Sequence, residues 1–339
     1  MKTTKKTYYN HYLAIDWSID NVQIARMRAQ SEKIITKGFA PEIEQIKDYL
    51  ASIKGKKIMT IEETTSSHWL YVELLDYVDR IIICDPYRNS LLSEGPKNDK
   101  IDARKLCLLL RSGLLKEVYH SVNDDYKIRK LVSSYEALVK AAVRVKNQKS
   151  AIYRAEGLKY KKDKIKKQDE ILSFIDERQN ALIKLYTEEK EKYKKKFREI
   201  KSRNKTIKML CGISGIGPIF AIKIYAKVID ANRFENKYKY WGMCGLVKHN
   251  RESGGRSYGK KRPRYSRTLK SIYKSAAMAA IGGKNDIRDY YDLLLKQGYS
   301  IPEAKNQIAR YIAKVSYAVM KNKIPYKAYQ WRELKKVAA

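Results

Sequence analysis

The chain has 339 residues, with 72 Lys and Arg against 37 Asp and Glu, a formal charge of +35. A surplus of that size repels itself in a folded chain unless a polyanion neutralises it, so nucleic acid is the first partner to consider. Hydrophobic residues at 44% and aromatics at 11% are enough for real cores and exclude global disorder.

Residues 1–110 read as α/β. His11 to Asp16, Val22 to Arg28 and Lys33 to Phe39 are short runs with strand-like alternation separated by polar turns, which predicts an antiparallel meander. Ile43, Ile46, Tyr49, Leu50 and Ile53 then recur at helical spacing, Ile58 to Glu62 is a strand, and Trp69 to Tyr77 is a second amphipathic helix. Arg80 to Asp85 is a continuous apolar run stopped by Pro86, as expected of a strand covered on both faces. Three strands, helix, strand, helix, strand is the order of a ribonuclease H-like fold. Beyond residue 123 turn residues nearly vanish. Leu172, Gln179, Tyr186, Tyr193, Ile200 and Ile207 recur every seven residues, with Ile175, Leu182 and Phe197 near the intervening seam positions. This predicts a coiled-coil hairpin bending at Gly157 or in the lysine-rich run near Lys159, its basic surface facing either solvent or nucleic acid. From Leu210 a glycine-rich turn leads into an apolar helix reaching Val228, and Ser266 to Ile281 and Ala304 to Met320 give further helices. The expected division is 1–122, 123–208 and 209–339.

Carboxylates stand at informative places. Asp16 ends the first strand and Glu62 the fourth, while Asp99 and Asp102 lie at i, i+3 where a helix begins, so both project from one face. Four acids converging from separate elements would hold two divalent cations about 4 Å apart, suited to in-line attack on a phosphodiester. Oxygen ligands favour Mg²⁺, with Mn²⁺ also accommodated. The plainer alternatives are a strand-end turn for Asp16 and an N-cap for Asp99. Glu63 and Asp85 rival Glu62, although Glu62 and Glu63 face opposite sides of a strand.

Residues 248–274 hold ten basic side chains and one acid, Glu252, around a glycine-rich segment. Arg251, Arg256, Lys260, Lys261, Arg262 and Arg264 are placed to clamp phosphates, and Gly254 and Gly255 let backbone approach one closely. Ser253 and Ser257 sit among them. A serine hydroxyl is a weak nucleophile that needs a base, a metal or dense positive charge, and the alternative is a flexible phosphate-binding loop without chemistry. His249, four residues before Ser253, is a proton-transfer candidate or simply a solvated loop residue; His11, His68 and His120 show no ligand spacing. Ser214 to Pro218 has the form of a helix-hairpin-helix turn that holds phosphates through backbone N–H groups, or glycines serving tight helix packing.

The runs AIDWS, EETTSSHWLY, CDPYRN and NDKIDARKLCLLLRSGLL resemble the DEDD transposases of the one-ten insertion-sequence family, whose N-terminal domain is RuvC-like. The likeness continues through GISGIGPIFAIKIYAKV, the YWGMCGLVKHNRESGGRSYGKK region, YYDLLLKQG and KVSYAVMKNKIPY, so it spans nearly the whole chain. Aligning Trp69, Leu70 and Tyr71 on the family's aromatic run puts its glutamate at Glu62 and its aspartates at Asp16, Asp99 and Asp102. Thr65 stands where the family usually has glycine, Asn98 where threonine is usual, and Tyr265 and Ser266 where a G-N pair is common. The resemblance implies Ser253 as nucleophile with Ser257 as fallback, and a C-terminal serine transposase domain. It also implies a bridge RNA pairing with donor and target DNA, and a homo-oligomer, dimer or tetramer, supported by the coiled coil. The acids and the serine lie far apart in sequence, so the expected site is a composite of the two, joined within one protomer or between protomers. The alternative is a metal-dependent nuclease or Holliday-junction resolvase that uses water.

Cys84, Cys107, Cys211 and Cys244 lie apart with no C-x-x-C pair, which argues against a zinc ribbon or a disulfide framework. No run approaches the roughly 18 apolar residues of a membrane span, and the lysine-bearing N-terminus passes straight into a strand-like segment. The expected setting is a prokaryotic cytoplasm, associated with the nucleoid, with no membrane partner. Residues 1–110 carry 17 basic and 15 acidic side chains, which leaves a net of +33 for residues 111–339.

Overall fold

Apolar alternation in the first two strand runs and a continuous apolar run in the fifth build one mixed sheet in the computed structural model, which describes residues 8–86, 98–120, 122, 125–160, 163, 165 and 169–329. Its strands are β1 (His11–Trp17), β2 (Val22–Arg28), β3 (Ile34–Phe39), β4 (Lys57–Glu62), β5 (Arg80–Cys84) and the short β6 (Glu117–Val118), in the spatial order β3-β2-β1-β4-β5-β6. β1 is antiparallel to β2 and parallel to β4, β4 is parallel to β5, and β3 and β6 pair antiparallel at the edges. The parallel pairings require crossovers, which α1 (Ile43–Ser52) and α2 (Ser67–Leu74) provide. α2 ends in a single 3₁₀ turn, Leu75–Tyr77, earlier than the periodicity alone suggests.

Period-two alternation sorts the side chains onto two faces. Leu13, Ile15, Met59, Ile61, Ile81 and Ile83 meet Ile46 and Leu50 of α1 and Leu70 and Leu74 of α2. The opposite face, with Ala14, Ala25, Met27 and Cys84, is covered by Ala103, Leu106 and Cys107 of α3 (Asp99–Arg111). Small residues on the strands let α3 lie close: the Cys107 thiol donates to the Tyr12 carbonyl at 3.3 Å. Tyr87, Arg88 and Asn89 of the C-D-P-Y-R-N turn, and residues 161, 162, 164 and 166–168 of the lysine-rich run, lie outside the described residues.

The chain divides into two units, Met1–Asn123 and Asp124–Ala339. The second is mostly helical. α4 (Asp125–Ala155) and α5 (Glu170–Arg203) pair side by side, and α6 (Lys205–Leu210), α7 (Pro218–Val228), α8 (Lys237–Met243), α9 (Arg267–Ile281), α10 (Asp286–Lys296) and α11 (Ile301–Asn322) follow. Tyr135 packs on Phe197 while Lys149 pairs with Asp176, so α4 and α5 run antiparallel. Val132, Tyr135 and Phe197 share one core with Ile222, Leu269 and Ile312, so the long helices and the later ones are buried together.

The seven-residue series on α5 faces inward: Leu172, Gln179, Tyr186, Tyr193 and Ile200 are all partly buried. Phe197 is fully buried, but Leu182 is 42% exposed and Ile183 takes the inward place. Positions three and four residues on both flank a helical seam, and here the partner helix selects the fourth. Among the described residues no helix is long and apolar enough to cross a membrane.

Candidate functional site

Strand parity and register bring the front unit's acids together. In the parallel pair Ile15 is opposite Ile61, so Asp16 and Glu62, one residue further on, stand at the carboxyl ends of neighbouring strands. Asp16 shares a face with Ala14, and Glu62 shares a face with Thr60 and is in register with Cys84. That is the α3 face, and α3 begins there. Asn98, not Asp99, is its N-cap: the Asn98 side chain accepts the Lys100 N–H at 3.0 Å. The N-cap alternative for Asp99 therefore fails, and Asn98 does at this position what a threonine would do. Asp99 and Asp102 fill the first turn of the helix, where its positive end favours carboxylates.

The acids sense one another. Burial pushes the Asp16 carboxyl up to about 6, and repulsion from Asp99, Glu62 and Asp102 adds to it. Glu62 is raised by burial and then by Asp102. None of the four has an ion pair or side-chain hydrogen bond among the described residues. Glu63 is exposed beyond the end of β4 and Asp85 is buried after β5, and neither contributes to the Asp16 shift. Trp17 packs edge-on against Trp69 at 5.2 Å beside Asp16, which ties the family-like aromatic run to this strand end. Among the described residues no group of three or more His, Cys, Asp or Glu side chains is already set to hold a metal ion. The donor set itself suits a hard divalent cation: four carboxylates, all-oxygen, mutually repelling and without a cation from the described chain.

In the second unit the basic segment is a β-hairpin, not an irregular loop. β7 (His249–Ser253) and β8 (Arg256–Lys261) pair antiparallel with Ser253 opposite Arg256, and every residue of both strands is exposed. Gly254 and Gly255 have φ of 55° and 73°, the left-handed pair that a tight two-residue hairpin turn demands. Those glycines are therefore explained by the turn. Ser253 ends β7 beside that turn, with the Arg256 side chain across from it on the same face; Ser257 is opposite Glu252 on the other face. Lys260 and Lys261 are opposite Asn250 and His249, Arg251 lies at the irregularity between Asn250 and Glu252, and Arg262 and Arg264 continue exposed past the strand. His249 stands four residues up the strand, about 13 Å from Ser253, too far to take its proton within one hairpin. Sequence patterning missed both strands because an all-exposed hairpin has no apolar alternation; the Gly-Gly pair between basic runs was the available signal.

The turn from Ser214 to Pro218 lines a cleft of about 500 Å³ with Cys211, Gly212 and Ala279. Gly215 has φ +86°, and a Cβ there would lie 2.2 Å from the Ala276 carbonyl of α9, so this glycine serves close helix packing. Gly217 has open space and caps α7, with Pro218 following at the helix start.

Comparison with known families agrees across both units. Residues 13–154, which include all four acids, match the DEDD transposase model of the IS110 type. Residues 207–292, which include the hairpin, match the model described as the transposase IS116/IS110/IS902 family. No curated protein matches the chain.

Proposed function

The chain belongs to the IS110 family of DEDD transposases, and from that premise we propose that it cuts and exchanges DNA strands through Ser253, assisted by a divalent cation held by Asp16, Glu62, Asp99 and Asp102. The observation that carries this reading is the group of four carboxylates at one end of the sheet, without cation partners among the described residues, where burial and their mutual repulsion lift Asp16 to about 6. The strand order β3-β2-β1-β4-β5, with β2 reversed, supports a RuvC-like, ribonuclease H-like identity for the front domain. Residues 123–208 would act as its helical coiled-coil insertion and 209–339 as the serine domain.

Mg²⁺, or Mn²⁺ in its place, would supply Lewis-acid polarisation of a phosphate oxygen when bound. The chain's own groups do the rest. The Ser253 oxygen attacks phosphorus, the bond to the 3′-oxygen breaks, and a 5′-phosphoserine linkage remains. The proton that Ser253 loses is matched by the proton that the departing 3′-hydroxyl gains. Arg256, directly across the hairpin, and Arg251, Lys260, Lys261, Arg262 and Arg264 around it offset the charge that builds on the phosphate oxygens. An exposed serine at a hairpin tip reaches a duplex backbone without a pocket, which suits a large substrate.

Donor and target DNA are the proposed substrates, a noncoding bridge RNA the guide, and a homo-oligomer the working state. Incubating the protein with its RNA, labelled DNA and Mg²⁺ tests the chemistry. A protein–DNA adduct that survives denaturation, lost in Ser253→Ala, is expected; free 5′-phosphate ends without an adduct would point to a water-using nuclease instead.

A further inference from the structure

Five residues back along β1 from Asp16, about 17 Å away, is a second polar feature, and it faces the other side of the sheet. His11 is opposite Arg28 and Leu13 is opposite Arg26, so directly paired residues put His11, Arg26 and Arg28 on the α1 face. Where α1 ends, the chain turns at Gly55 (φ +97°), and the Asn10 side chain accepts the Lys56 N–H at 2.8 Å. A Cβ at Gly55 would meet Asn10 at 3.0 Å, so the turn and the start of β1 make a fixed wall. The result is a cleft of about 760 Å³ lined by Asn10, His11, Arg26, Arg28 and Lys54 with residues 29–31, 52, 53 and 55, and no carboxylate lines it among the described residues.

Two of its polar groups are buried without a partner among the described residues. His11 is 8% exposed; its Nε2 is spent on the Lys54 carbonyl at 3.1 Å, and its Nδ1 has none. The Arg26 Nε is likewise buried and unmatched. Native proteins rarely leave such atoms unsatisfied, and a polar cleft is where an absent ligand would satisfy them. Among the described residues the Arg28 and Lys54 charges are unpaired as well. We propose that this cleft binds a phosphate group, with Arg26, Arg28 and Lys54 holding its oxygens and His11 Nδ1 completing the contacts.

Burial holds His11 below its ordinary value, and Arg26 and Arg28 from β2 and Lys57 from β4 reinforce this. An anion among these groups reverses the field and favours a proton on His11. The cleft lies on the face away from the carboxylates, so the phosphate it takes is not the one being cut. It is carried either by a nucleic-acid strand passing behind the sheet or by a free phosphate. The assignment stands independently of the catalytic reading.

Hydrogen exchange on the full chain reads this cleft separately from the other basic surfaces. Inorganic phosphate, a single-stranded RNA and a DNA duplex are the three probes. Amides of residues 26–31 and 52–56 should exchange about fivefold more slowly with at least one of them. In Arg28→Gln, an exposed position outside the core, half-protection should need about ten times more probe. Arg26→Gln should do the same. Protection by nucleic acid at concentrations where phosphate is inert assigns the group to a strand, and protection by phosphate alone assigns it to a free anion; either supports the site. Exchange unchanged by all three probes, or equal protection in both variants and the parent chain, overturns it.

Discussion

Asp16 is held at an energetic cost to its own domain. With a carboxyl value of about 6 when folded and an ordinary 3.8 otherwise, the folded state binds more protons between those limits, so stability falls as pH rises from about 4 to 6 and stays lower above. Allowing for solvent screening of its exposed part, the cost at neutral pH is about 1 to 2 kcal/mol. Asp16→Asn should therefore raise stability against urea by about that amount at pH 7 while abolishing strand cleavage. Mg²⁺ binding by the parent chain should weaken as pH drops below about 6, where the metal-free Asp16 takes up a proton that the cation must displace; an affinity unchanged down to pH 5 would contradict the role given to it. How far these residues could be read in advance depended on what each one needs. Asp16, Asp99 and Asp102 were legible because strand ends and i, i+3 spacing are local properties. The family alignment favoured Glu62, and the register of β4 against β1 and β5, which no local pattern contains, puts Glu62 in line with Cys84 on the α3 face.

The helices and strands show the same boundary between local and non-local information. Order and type in the front unit follow from alternation and from the apolar run of β5, and the structure reproduces them with boundaries shifted by at most three residues. The two-residue β6 escapes because it is too short to show alternation, and the hairpin β7–β8 because it buries no apolar face. On α5 the seven-residue period was visible, but the choice of Ile183 over Leu182 is made by α4. Ile183→Gln should thus destabilise the second unit by about 1 to 2 kcal/mol in thermal unfolding, with Leu182→Gln close to neutral; the reverse order would mean that the seam is wrongly assigned. At the hairpin, Gly254→Ala and Gly255→Ala each force a left-handed φ on a residue with a Cβ. Each costs about 1 kcal/mol locally, enough to fray an exposed two-stranded element and displace Ser253 from Arg256. Adduct formation should fall with global stability unchanged. Gly215→Ala differs: its Cβ would collide with the Ala276 carbonyl, and the second unit should lose about 2 to 3 kcal/mol.

Across the chain the charge is divided. Residues 1–110 are nearly balanced and residues 111–339 carry +33, so the surplus belongs to the long helices and the region that follows them. Within the front unit the balance conceals a second division, carboxylates at one end of β1 and a cationic cleft at the other. Phosphate contacts by the hairpin predict a steep salt dependence of nucleic-acid binding. Replacing Arg256, Lys260 and Lys261 together by glutamine should lower the log–log slope by about 2 to 3, near one unit per lost contact. Charge alone does not distinguish a recombinase from a nuclease, since both grip phosphates. The covalent bond does. Denaturing electrophoresis of the protein with end-labelled DNA, its RNA and Mg²⁺ should reveal a DNA adduct that disappears in Ser253→Ala and in Asp16→Ala, whereas an adduct of undiminished yield in Ser253→Ala would contradict the central claim.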